Sequence, residues 1–106
     1  MAKNERLTNE ARRKQLLDGA IRIIKRDGWD AVTRDAVAME CNVAVGTVNF
    51  TYKRIDALRD AVYEYAVENY TDSDMLKVIA AGLVKQNPII MNAPTNIKML
   101  ALNEMM

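Results

Sequence analysis

Apolar positions recur along the chain at intervals of three and four residues, and no stretch of convincing length alternates with period two. The pattern predicts an all-α protein. A first helix runs from about Thr8 or Asn9 to Asp27, with Leu17, Ala20, Ile21 and Ile24 on one buried face. Gly28 supplies a left-handed stop, and Trp29 is expected to anchor the chain against the core. Thr33 reads as the N-cap of a second helix, Arg34 to about Cys41, which buries Val37, Ala38 and Cys41, with Asp35 favouring its dipole. Asn42 can take the left-handed conformation of a sharp turn, and Val43 is expected to point inward there. A third helix follows from Val45, in which Val48 and Tyr52 share an inward face and Phe50 is left exposed.

A connecting helix is expected from about Asp56 to about Tyr70, through Leu58, Val62, Tyr65 and Ala66. Thr71 to Asp74 is dense in capping side chains and opens another, Met75 to about Gln86, closed by Asn87-Pro88. Pro94-Thr95 precedes a last helix, Asn96 to about Met106. The apolar arcs of these two C-terminal helices are wider than one side of a small monomer covers. Met75, Leu76, Ile79, Leu83, Ile97, Leu100 and Met105 are therefore assigned to a homodimer interface; the alternative is that both helices fold back onto the first core. The methionines there also leave a protein partner open.

The chain divides by this reading into a basic arm at 1–12, a helix-turn-helix domain at 13–58 and a helical dimerisation segment at 59–106. Its 106 residues suffice for one compact domain or a small domain with a dimerising segment, and not for two independent cores. Net charge is only +1, but it is unevenly spread. Lys3, Arg6, Arg12, Arg13 and Lys14 outweigh Glu5 and Glu10 at the start, whereas Glu64, Glu68, Asp72, Asp74 and Glu104 outweigh Lys77, Lys85 and Lys98 beyond residue 60. A basic leading end suits contact with phosphate. The uncharged stretch Gln86 to Ile97, which no other exceeds in length, holds two prolines and several asparagines, so no membrane span is expected. The charged N-terminus leads into no signal-peptide core, and the single cysteine forms no internal disulfide, so a cytoplasmic location is expected.

Catalysis has little to stand on. Without histidine there is no imidazole acid, base or ligand, and Asp72 with Asp74 is explained by helix capping. Cys41 lies on an apolar face and reads as an inert thiol, and the glycines at 19, 28, 46 and 82 have no phosphate-loop spacing. No enzyme activity, cofactor or metal is expected.

Leu16, Ala20, Gly28, Thr33, the Val37-Ala38 pair, Val43, Gly46-Thr47-Val48 and Leu58 stand in the order and spacing of a known family. The span from Arg13 to Leu58 resembles the DNA-binding domain of the TetR-like (tetracycline-repressor-like) transcriptional regulators. The resemblance implies a three-helix domain followed by a long connecting helix, with the third helix in the major groove of each half of a palindromic site. Val45, Gly46, Thr47, Asn49 and Phe50 would then read bases, Asn49 through an amide able to bond adenine in two places. Lys3, Arg6, Arg12, Arg13, Thr33, Arg34, Thr51, Tyr52, Lys53 and Arg54 would hold phosphate. Asn49 stands where the family usually has tyrosine, Tyr52 where it has phenylalanine, Ile55 where it has a phosphate-binding lysine, and Ala44 where it favours a capping serine.

Together these readings describe an all-α three-helix bundle with a helix-turn-helix, a connecting helix and two short C-terminal dimerisation helices. The function expected is a sequence-specific DNA-binding transcriptional regulator, a repressor acting as a homodimer on a palindromic operator. A DNA-bound structural adaptor for packaging or partition, and a protein-interaction module of helix-turn-helix shape, remain open. The C-terminal helices are too short to enclose a ligand pocket in one subunit, so no small-molecule ligand is expected.

Overall fold

The computed structural model describes residues 7–105, and these contain helices and turns with no strand. The helices are α1 (Asn9–Asp27), α2 (Arg34–Cys41), α3 (Val45–Thr51), α4 (Ile55–Glu68), α5 (Ser73–Val84), α6 (Pro88–Met91) and α7 (Thr95–Met105), with a 3-10 turn at Trp29–Ala31. The described residues form two compact units, divided after Leu58.

In the first unit α1 is capped by Thr8, whose Oγ1 accepts from Ala11 N at 3.0 Å. Glu10 in its first turn and Lys25 and Arg26 in its last complement the helix dipole. It stops at Gly28, whose φ of 98° lies where a side chain is strained and whose N–H donates to Ile24 O. Ala20, Ile21 and Ile24 are buried as expected, and the buried face is wider than the expected one. Leu16 and Ile23 are sealed, while Leu17 is only half-buried. The reason is that α1 is packed on by α2, the 3-10 turn and α3, so more than one stripe is covered. Trp29 is also half-buried; the residue that anchors this segment is Val32, fully buried two positions after the turn begins to close.

Thr33 caps α2, its Oγ1 accepting from Ala36 N at 3.1 Å. At the other end Asn42 adopts the left-handed conformation (φ 56°, ψ 48°), and Val43 N donates to Ala38 O, satisfying the last carbonyls of the helix. Cys41 is half-buried, not buried, and its Sγ faces the carbonyl of Gln15 at 3.4 Å. Gly19 of α1 lies directly against that sulfur, and a methyl group at this position would collide with it. The close crossing of α1 and α2 depends on this missing Cβ. Glu40 fastens the same crossing, accepting from Arg26 Nη2 at 2.9 Å and Arg22 Nε at 3.0 Å.

The second unit has a core of its own, which the chain length had argued against. Met75, Val78 and Ile79 of α5 are fully buried, as is Ile90 of α6, and Ile97 and Ala101 of α7 join them. Helix α5 packs on both α6 and α7. It begins two residues earlier than expected because Asp72 Oδ1 accepts from Asp74 N at 2.9 Å. A third C-terminal helix, α6, also went unforeseen: Pro88 occupies its first turn, and Asn87 Oδ1 caps it by accepting from Ile89 N at 2.9 Å. What looked like a helix terminator is a helix start. Gly82 lets α6 and α4 approach α5, since a Cβ there would collide with Ile90 and Tyr63.

Candidate nucleic-acid interface

The turn after α2 and the cap geometry of α3 determine which face of α3 is left open. Val48 is fully buried and Tyr52 is 6% exposed, so the opposite face, Val45, Gly46, Thr47, Asn49 and Phe50, is directed away from the core. Val45 and Gly46 are exposed, Thr47 and Asn49 are half-buried, and Phe50 is 76% exposed. All five expected base readers thus share one accessible surface. Ala44 caps α3 without a side-chain hydrogen bond, leaving N–H groups of its first turn for another acceptor.

Two open grooves flank α3. One is lined by Leu7, Asn9 and Arg12 from the start of the chain together with Gly46, Thr47, Phe50 and Thr51. The other is lined by Thr33, Arg34 and Asp35 at the start of α2 together with Val45 and Asn49. The helix-turn-helix therefore presents α3 between the leading ends of α1 and α2, each of which contributes a cation, Arg12 or Arg34.

The expected phosphate contacts divide into three groups. Arg12, Arg13, Arg34, Lys53 and Arg54 carry charge at accessible positions of this unit, Arg12 half-buried and the others exposed. Arg12 Nη1 donates to Gln15 Oε1 at 2.6 Å, and the Arg13 guanidinium lies 5.5 Å from the centre of the Tyr52 ring, so both are held toward the surface. Thr33 Oγ1 accepts the cap bond and keeps its O–H proton to donate, whereas Thr51 has committed its proton to Thr47 O at 2.9 Å and retains only lone pairs. Tyr52 is a correction. Its ring is in the core and its hydroxyl donates to Arg13 O at 3.3 Å, so it supports Arg13 from below and does not face phosphate. Lys3 and Arg6 lie outside the described residues.

One relation had no signal in the sequence: Arg34 Nη1 donates to Asn49 Oδ1 at 3.4 Å, joining an expected phosphate binder to an expected base reader. They are fifteen positions apart on different helices.

The remaining chemistry is sparse. Burial raises the Cys41 thiol above its ordinary range, which keeps it protonated. Among the described residues no group of histidine, cysteine and carboxylate side chains is placed to hold a metal, and no helix is long and apolar enough to cross a membrane.

Of the expected dimer residues, Met75, Ile79 and Ile97 are core residues of the second unit and cannot face a partner. Leu76 and Leu83 are half-buried, and Leu100 and Met105 are 41% and 52% exposed. Met99 and Leu102 of α7 are exposed beside them.

No curated protein and no solved structure matches the chain. A family does match: residues 16–62 fit the bacterial regulatory proteins of the tetR family. The matched span begins at Leu16 in α1 and ends at Val62 in α4, enclosing the whole of α2, the turn and α3. Residues 16–62 are thus similar to the helix-turn-helix DNA-binding domain of the tetR-family regulators.

Proposed function

We infer that the protein is a repressor that occupies a palindromic operator as a homodimer, with α3 of each protomer in the major groove. The observation that carries the reading is the single accessible face of α3, Val45, Gly46, Thr47, Asn49 and Phe50, set between two cation-bearing helix starts. Phosphate is held by Arg12, Arg13, Arg34, Lys53 and Arg54, with Lys53 and Arg54 supplying the charge that Ile55 lacks. Phe50, an exposed aromatic ring with no polar group, meets thymine methyl groups. Pairing through α7, with Leu100 and Met105 supported by Met99 and Leu102, presents two copies of α3 to the two halves of the site. Such a role belongs with DNA in the cytoplasm and needs no catalytic group.

The test is selection from a randomised duplex pool followed by salt-titrated binding, with mass measured in solution. A dimer, a palindromic consensus and a steep salt dependence support the reading. Higher assemblies on DNA would favour a structural adaptor, and flat salt dependence with no selected sequence would favour a protein-interaction module.

A further inference from the structure

A side-chain amide is by itself ambivalent toward DNA: its oxygen accepts and its nitrogen donates, the match for adenine N6 and N7. In this protein the ambivalence is removed by a neighbour. Arg34 Nη1 stands 3.4 Å from Asn49 Oδ1. A guanidinium has donors and no acceptor, so the amide atom facing it is the oxygen; turning the amide over would set two donors against each other. The Nδ2 end is then the one left for the open groove between Arg34 and Val45. Val45 brings no polar group to that groove, and the Asp35 carboxylate brings only acceptors.

We propose that Arg34 determines which base Asn49 reads: by holding Oδ1 toward α2 it leaves the two Nδ2 protons to face the groove, which selects guanine, with acceptors at N7 and O6, over adenine. The proposal rests on α3 being a DNA reader. Arg34 is a positioning residue in it, and its remaining N–H groups stay available to phosphate. Asp35 acts in the same direction, because a carboxylate accepts from the amino group of the cytosine paired with that guanine.

The experiment takes the consensus selected by the wild-type protein from a randomised duplex pool. The position whose preference Asn49→Ala abolishes is identified, and binding to the four duplexes differing there is measured for wild type, Arg34→Leu and Arg34→Lys. Wild type is expected to prefer guanine to adenine by about tenfold. Arg34→Leu brings the ratio to one or inverts it, and Arg34→Lys, which keeps a cationic donor, retains the guanine preference. Each ratio is taken within one variant, so a change in folded fraction cancels. A wild-type preference for adenine overturns the proposal, as does an Arg34→Leu variant that weakens all four duplexes alike. So does loss of a guanine preference at a position that Asn49→Ala leaves untouched, since Arg34 would then be the reader. Selection of no sequence at all would overturn the DNA-reading role as well, and is distinguishable from the other three.

Discussion

Thr33 and Ala44 head the two helices of the DNA-binding motif, and only Thr33 has a side chain that caps. Its Oγ1 satisfies Ala36 N, whereas α3 starts with no side-chain acceptor. Thr33→Ala should lower stability by about 1 kcal/mol and Ala44→Ser should raise it by a similar amount. Thermal melts of the two variants test this, and a neutral Ala44→Ser would mean that serine cannot reach the free N–H groups. Gly82 is a second residue whose identity is dictated by space. Adding a methyl there drives it into Ile90 and Tyr63, so Gly82→Ala should cost about 1–3 kcal/mol by overpacking, read as a lowered melting temperature. The same change at Gly46, where nothing lies within reach of a Cβ, should leave stability of the free protein nearly intact.

At the scale of elements, the α1–α2 crossing is held by apolar burial and by one carboxylate shared between two arginines. The hydrogen bond from Arg26, and then that from Arg22, holds the Glu40 carboxyl below the usual glutamate range. A folded-state value below the unfolded one means that Glu40 contributes fully above the ordinary glutamate range. Its contribution is lost as the pH falls through the lowered value. Glu40→Gln should therefore lower the melting temperature at neutral pH and narrow its gap from wild type as the solution is acidified. A gap that stays constant across that range would remove Glu40 from the clasp.

At the scale of the whole molecule, the second unit distinguishes residues that fold it from residues free to pair. Leu100→Glu with Met105→Glu should give a folded protein of monomeric mass, because both side chains are exposed. Met75→Glu should instead unfold the unit, since it places a charge in a sealed core. A doubly substituted α7 that still sediments as a dimer would move the interface elsewhere. On DNA, Lys53→Ala should reduce the slope of log affinity against log salt by about one per protomer without changing the selected sequence.

The helix-turn-helix was legible because its signals are local. Thr8 and Thr33 cap, Gly28 and Asn42 stop, and the period of Val37, Ala38 and Val48 marks an inner face, each acting within a few residues of itself. The exposed face of α3 follows from the same periodicity, so the five expected base readers come out together. Other features depend on partners distant in sequence. Leu16 and Ile23 join the inner face of α1 because three elements cover it, Tyr52 leaves the phosphate set because its hydroxyl finds Arg13 O, and Met75, Ile79 and Ile97 turn inward because α5 meets α6 and α7. The bond from Arg34 to Asn49 is of this second kind. The local sequence by itself determined which side of α3 stays open. Only the tertiary structure decided how its central amide is oriented, because that orientation is imposed by a donor on another helix.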